Sequence, residues 1–322
     1  GGIPASSKRY QNPYIFTNNE SKTFDNKFGP DIFKDFIVDF IHTNKESPFF
    51  IYYPMVLTHT PLVNTPDEIA DTNIGKHKAM VRYTDKITGE IIKALDDTKI
   101  RDNTIVIWTT DNGTAQGITG SLNGQKVKGG KSLTTEAGIC LPFIVSWPDK
   151  IKPNQKSEAL IDLTDLYPTF SDLAGRSEKQ IREASNHIFD GHSFKDVLLG
   201  KSQHSNKKWI LGMGGQNNAR LTEKGVENQY VFRDRVLRNK RYKLYVGTNR
   251  QPEKFYDLQA DPFEKNNLIN SLNTSKREKN FKQLADNIKS FPEKDNDPIY
   301  KPNPPQNWDV KITAESEVWK LE

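Results

Sequence analysis

The chain is 322 residues long, 34% hydrophobic, and carries 17 Phe, 11 Tyr and 5 Trp, enough apolar bulk for a buried core and too much for wholesale disorder. Its 46 Lys and Arg against 41 Asp and Glu leave a formal charge of +5 spread over both signs. That balance tolerates an anionic substrate without marking a nucleic-acid binder, and the single cysteine, Cys140, excludes an intrachain disulfide framework or a multi-cysteine metal site.

The opening Gly1-Gly2-Ile3-Pro4-Ala5-Ser6-Ser7 has neither the charged start nor the apolar stretch of an export signal, so any such signal is expected upstream of this sequence. As far as about Phe28 the chain reads as an irregular surface segment. Gly29-Pro30-Asp31 then opens an amphipathic helix with Phe33, Phe36, Ile37, Phe40 and Ile41 at helical spacing. Pro48-Phe49-Phe50-Ile51-Tyr52-Tyr53 is short and continuously apolar, which predicts a buried strand of a parallel sheet. Thr65-Pro66-Asp67 leads to a second helix carrying Met80, Tyr83, Ile87, Ile91 and Leu95 on one stripe, and Thr104-Ile105-Val106-Ile107-Trp108 reads as the next strand.

Strand, helix, strand is the pattern of a βαβ crossover, which sets His59 and Asp111 just past two strand ends on one sheet edge. A glycine-rich loop from Gly113 to Gly130 precedes a third strand, Phe143-Ile144-Val145-Ser146-Trp147. Asp162 to Leu173 is predicted helical, with Leu163, Leu166, Tyr167 and Phe170 buried. Past Gly200 the short segments Trp209-Ile210-Leu211, Tyr230-Val231-Phe232 and Tyr242-Lys243-Leu244-Tyr245-Val246 suit an antiparallel sheet, followed by a helix from about Ser275 to Ile288. The fold class is therefore α/β, with residues 1–205 as one domain and 206–322 as a smaller one and its tail. No stretch approaches the roughly 18 apolar residues of a membrane span.

Three segments carry candidate chemistry. In Thr109-Thr110-Asp111-Asn112-Gly113 an anionic and a neutral oxygen donor stand side by side after a strand, a pair suited to Ca²⁺ or, less well, Mg²⁺; an ordinary strand-end turn reads equally from the same residues. His59, in Leu57-Thr58-His59-Thr60-Pro61-Leu62, is placed to bind an anion or donate a proton, or else to cap a backbone carbonyl. Lys131, after Lys128-Gly129-Gly130, can bring an ammonium to a sulfate or phosphate oxygen or simply be solvated. Gln125 stands where a P-loop needs glycine. The remaining histidines, His42, His77, His187, His192 and His204, have no metal-ligand spacing.

Pro48-Phe49-Phe50-Ile51-Tyr52-Tyr53, His59-Thr60-Pro61-Leu62, Asn103-Thr104-Ile105-Val106, Thr110-Asp111-Asn112-Gly113, Lys131 with Glu136, and Leu163-Thr164-Asp165-Leu166-Tyr167-Pro168-Thr169 follow in order. Asp190-Gly191-His192-Ser193, Phe255-Tyr256-Asp257-Leu258, Asp261-Pro262 and Glu264-Lys265-Asn266-Asn267-Leu268 complete the series. In this order the chain resembles the C-terminal part of the type I sulfatases of the arylsulfatase A type, within the alkaline phosphatase superfamily. The resemblance implies part of an alkaline-phosphatase-like mixed sheet flanked by helices, with a smaller C-terminal antiparallel α+β domain. It also implies a sulfuric ester hydrolase acting on a carbohydrate or aryl sulfate, with Asp111 and Asn112 as ligands of the catalytic Ca²⁺ and His59 and Lys131 gripping the sulfate and supporting its leaving oxygen.

Two departures accompany the resemblance. Cys140 stands where many relatives carry Arg, and nothing here matches the Cys/Ser-x-Pro-x-Arg segment whose first residue matures to formylglycine: Cys140 is followed by Leu141-Pro142. The nucleophile is expected in a missing N-terminal half, which this chain needs as its partner, so the chain alone is expected to be inactive. A phosphatase or phosphodiesterase of the same superfamily and a non-catalytic sulfated-glycan-binding protein are the alternatives. Relatives that process carbohydrate sulfates are commonly exported, and Asn112-Gly113-Thr114 is a sequon that glycosylation would block as a metal site, so a bacterial periplasmic or secreted location is expected.

Overall fold

The computed structural model describes residues 9–185, 189–214, 219–222, 225–228 and 234–293. The chain forms two compact units that divide between Thr104 and Ile105. The compositional change expected near residue 205 lies inside the second of them.

The first unit opens with a hairpin of β1 (Tyr14–Thr17) and β2 (Glu20–Thr23), where the sequence suggested irregular chain. Its two-residue turn is Asn18-Asn19, at φ 50° and 67°, the left-handed pair that asparagine tolerates best after glycine. Helix α1 (Gly29–Asn44) has Pro30 in its first turn and buries Ile37 and Ile41. Phe36, expected on the same face, is 55% exposed, because the buried stripe is narrower than the apolar one. Helix α2 (Asn73–Asp97) starts at Thr72, whose side chain accepts the Gly75 N–H, and buries Met80, Tyr83, Ile87 and Leu95. Tyr10, Phe28, Leu57, Met80, Tyr83 and Ile87 make one apolar cluster, and Tyr83 Oη donates to Asp31 Oδ1 at 2.7 Å to tie α2 to the first turn of α1.

The expected parallel strand over residues 48–53 is a correction. The segment is irregular, with Phe50 69% and Tyr52 79% exposed. A continuous apolar run encodes burial on two faces, yet it becomes a strand only when neighbouring strands complete its backbone hydrogen bonds. Among the described residues none pairs with it.

In the second unit β3 (Val106–Thr109) pairs antiparallel with β6 (Phe143–Ser146), Thr109 opposite Phe143; the expected βαβ crossover is corrected because its first strand, residues 48–53, is not formed. Between them lie the hairpin β4 (Thr119–Leu122) and β5 (Gln125–Lys128), within what read as a loop, and the short helix α3 (Glu136–Ile139). Helix α4 (Leu166–Leu173) follows a capping box of Asp162 and Asp165. It buries Pro168 and Thr169; of the expected buried residues Leu166 and Phe170 are half-buried, while Leu163, just before the helix, and Tyr167 are 41% and 55% exposed. The reason is polar: Thr169 Oγ1 donates to the Asp165 carbonyl and accepts the Phe194 N–H.

Helices α5 (Glu178–Glu183) and α6 (Lys195–Leu198) lead to β7 (Ile210–Met213), the hairpin of β8 (Ala219–Thr222) and β9 (Gly225–Asn228), then β10 (Arg235–Arg238), β11 (Tyr242–Val246) and β12 (Pro252–Asp257). A four-stranded sheet runs in the order β12-β11-β10-β7, antiparallel throughout. Tyr230-Val231-Phe232 lies outside the described residues. Helix α7 (Ser275–Asp286) sends Leu284 into a core with Leu237, Tyr242, Leu244, Val246 and Phe255. No helix among the described residues is long and apolar enough to cross a membrane.

Candidate functional site

In the first unit the His59 loop is tied down by Tyr10, whose hydroxyl reaches the carbonyls of Val56 at 2.8 Å and His59 at 2.5 Å. The phenol itself is pushed above its ordinary pKa by burial, the nearby Arg9 opposing. The exposed imidazole places Nδ1 2.8 Å from the Thr60 carbonyl and 3.2 Å from Arg9 Nη1. These two contacts demand opposite tautomers: the carbonyl needs a proton on Nδ1, the guanidinium needs a lone pair there. With Nδ1–H donated to Thr60, Nε2 is the ring nitrogen left for a ligand.

The other three candidates share one loop cluster in the second unit. Asp111 and Asn112 follow β3 by one residue, and the chain after them packs backbone to backbone on the segment from Gly129 to Gly138. Gly113 N–H donates to the Gly138 carbonyl at 3.0 Å, and Lys131 N–H to the Thr114 carbonyl at 2.9 Å. A side chain at 113 would put its Cβ 1.9 Å from the Ala137 carbonyl oxygen, and at 138 would meet the Leu133 carbonyl at 2.1 Å, so glycine is required by close approach. The glycine-rich composition thus serves to join two loops carrying Asp111-Asn112 and Lys131.

Asp111 is exposed and Asn112 half-buried. Neither the Asp111 carboxylate nor the Lys131 ammonium has a hydrogen-bond or ion-pair partner among the described residues, although the Lys131 backbone carbonyl accepts from Gln116 Nε2 at 2.8 Å. One carboxylate and one carboxamide are hard oxygen donors of the kind Ca²⁺ prefers, and Ca²⁺ takes about six to eight of them. No group of three or more His, Cys, Asp or Glu gathers for a metal among the described residues; by donor chemistry the pair could supply two oxygens of such a shell.

Sequence reasoning missed what stands behind the Lys131 segment. Glu136, the first residue of α3, pairs with Arg238 at 3.1 Å and with Lys243 at 3.1 Å, and Lys243 pairs in turn with Glu264 at 2.9 Å. The Lys243 side chain is 0% exposed and that of Glu264 8%. A lysine as the second residue of Tyr242-Lys243-Leu244-Tyr245-Val246 was the available signal, since a charge inside an apolar strand demands partners.

With this arrangement described, comparison with known proteins places the chain. The family model described as Sulfatase matches residues 2–176, and that for the C-terminal part of N-sulphoglucosamine sulphohydrolase matches residues 130–291. The chain belongs to the sulfatase family.

This sulfatase chain is 32% identical to an N-acetylgalactosamine-6-O-sulfatase of Bacteroides thetaiotaomicron over 273 residues, 81% of the chain and 51% of that relative. It is 30% identical to an ulvan-active sulfatase of Formosa agariphila over 210 residues, 56% of the chain and 36% of the relative. A Bacteroides thetaiotaomicron sulfatase structure from work on glycosaminoglycan metabolism superposes with a TM-score of 0.62 at 24% identity, over 84% of the chain and 56% of that structure. The mixed α/β architecture is accordingly that of the alkaline phosphatase-like fold. The chain spans about half the length of the B. thetaiotaomicron relative, and less of the other.

Proposed function

We propose that the complete protein to which this chain belongs is a sulfuric ester hydrolase acting on a sulfated carbohydrate or an aryl sulfate. The observation that carries this is the loop cluster of Asp111, Asn112 and Lys131 in a sulfatase-family chain: two hard oxygen donors and an ammonium without a partner among the described residues, on loops joined backbone to backbone, complement a sulfate ester's charged oxygens. Relatives acting on N-acetylgalactosamine 6-sulfate and ulvan favour the carbohydrate class.

Asp111 and Asn112 would hold Ca²⁺, which when bound supplies positive charge against the sulfate oxygens. The nucleophile of the family, formylglycine, belongs to the part of the relatives' length that this chain does not span, so the chain acts together with that N-terminal part and is inactive alone. Lys131 binds a sulfate oxygen and favours the charge that builds there during transfer. In its imidazolium form His59 would give the Nε2 proton to the departing oxygen and become the neutral ring with Nδ1–H still on the Thr60 carbonyl, while Tyr10 holds the loop through the Val56 and His59 carbonyls. A periplasmic or secreted location accompanies this reading.

The test is sulfate release by the complete, formylglycine-matured protein from a panel of sulfated saccharides and aryl sulfates. Release from members of the panel is expected, at least tenfold slower in Lys131→Ala; no release from any, with maturation verified, would contradict the reading.

A further inference from the structure

The ion cluster behind the Lys131 segment has a geometry that a simple stability role leaves unexplained. Lys131 begins a six-residue segment that ends at Glu136. At its start the Lys131 N–H is held by Thr114. Immediately afterwards Ser132 sits at φ 70°, a left-handed conformation that is unfavourable for a non-glycine residue and persists when surroundings enforce it. At its end, Thr135 gives α3 no side-chain cap. The cap comes from far along the chain instead: Glu264 Oε2 accepts the Glu136 N–H at 2.7 Å.

The other oxygen of that carboxylate is also fully engaged. Glu264 Oε1 accepts from Tyr245 Oη at 2.6 Å and pairs with Lys243 at 2.9 Å, and Lys243 returns to Glu136 Oε1 at 3.1 Å. Two carboxylates, Lys243 and Arg238 balance to zero net charge. Buried pairs of this kind are often replaceable by apolar residues without loss of stability, because desolvation offsets much of the Coulomb gain; what they supply is a fixed geometry. Here the geometry fixed is the path of residues 131–136.

We propose that Lys243 and Glu264 are positioning residues for Lys131: strand β11 and the turn after β12 clamp Glu136, and the clamp sets where the Lys131 ammonium meets the sulfate. This rests on Lys131 being the sulfate ligand of the proposed function. It assigns a part in the reaction to the antiparallel C-terminal sheet, through residues that need not touch substrate.

The experiment has two arms, both on the complete protein. In the first, amide hydrogen exchange is compared between the wild type and Lys243→Met/Glu264→Gln, a pair that removes one charge of each sign and leaves Glu136 with Arg238. Exchange at the Lys131, Leu133 and Glu136 amides is expected to accelerate at least tenfold while the Leu237, Leu244 and Phe255 amides keep their protection. In the second, kcat/KM for a sulfate ester is measured in a cycle with Lys131→Ala. The double variant is expected to lose about 10- to 100-fold alone and less than threefold in the Lys131→Ala background, since a clamp acting through Lys131 has nothing left to position. Tyr245→Phe, which removes the hydroxyl that donates to Glu264 at 2.6 Å and lies 3.4 Å from the Thr134 carbonyl, should show the same pattern more weakly and serves if the double variant does not fold.

Unchanged exchange over residues 131–136, or an equal loss with and without the Lys131 side chain, would overturn the proposal. A wild type that releases no sulfate at all would instead overturn the sulfatase reading, and the exchange arm would then decide the clamp by itself.

Discussion

Asp111 and Asn112 are adjacent, yet under the proposed function they would contribute differently to a cation site. Asp111→Asn keeps shape and removes a full negative charge from the metal's surroundings; Asn112→Ala removes a neutral donor that water can replace. In the complete protein, calorimetric Ca²⁺ titration should therefore show a larger affinity loss for D111N than for N112A, with turnover reduced at least tenfold in both. Unchanged binding in folded D111N would make Asp111 a turn residue. His59 has a separate signature: a proton donor matters most when the leaving alcohol is a poor one. His59→Ala should slow a sugar sulfate at least tenfold more than the sulfate of an acidic phenol, measured as the ratio of kcat/KM values.

Asp111 and Asn112 could be singled out because they stand directly after a β-branched run and before Gly113, whereas His59 was read past a strand that the structure does not form. Lys243 and Glu264 were not legible, for their roles arise from pairing across more than 100 positions of sequence with Glu136. Nor was Arg9, which reaches His59 across 50 residues.

Among the elements, helix α7 and the sheet it covers share a core of side chains from β10, β11 and β12. Leu284 is 2% exposed there, so Leu284→Ala should destabilise the protein by about 2–5 kcal/mol, read by urea unfolding of the second unit's transition. The hairpin of β11 and β12 is closed by Arg241, whose guanidinium meets Asp257 at 2.6 Å. Burial alone would raise the Asp257 pKa; Arg241 and the Gln259 and Ala260 N–H groups outweigh it and hold the carboxyl below its ordinary value. A carboxyl lowered in the folded state stabilises fully above the unfolded pKa of about 3.9, and that contribution fades as pH falls through the lower folded value. Asp257→Asn should thus lower stability at pH 7 and flatten its decline below about pH 4, checked by denaturant midpoints across that range. An unaltered acid slope would remove Asp257 from the account of acid unfolding.

The positions of α1, α2, α4 and α7 and the β11 strand followed from periodicity, which acts within a few residues, while the short helices α3, α5 and α6 went unread. The hairpins at Asn18-Asn19 and at Asn123-Gly124 went unread although their turn residues were in view, at φ 51° and 77° for the second, because polar flanks hid the strands. The buried face of α4 was misjudged since hydrogen bonds at Thr169, and not apolar spacing, turn that helix inward. Residues 48–53 were read correctly as an apolar run and incorrectly as a paired strand, for strand formation depends on neighbours that local sequence cannot name.

For the molecule as a whole, family membership and fold reach further than any one side chain, while the choice between sulfuryl and phosphoryl transfer rests on how the site weighs charge. A sulfate monoester carries one negative charge and a phosphate monoester close to two near neutral pH, so the two esters of one alcohol present similar shape with different charge. The most direct measurement is kcat/KM of the complete, formylglycine-matured protein on the sulfate and the phosphate monoester of the same sugar alcohol, with both anions quantified. The account predicts sulfate release exceeding phosphate release by at least 100-fold; phosphate released with no sulfate would contradict it.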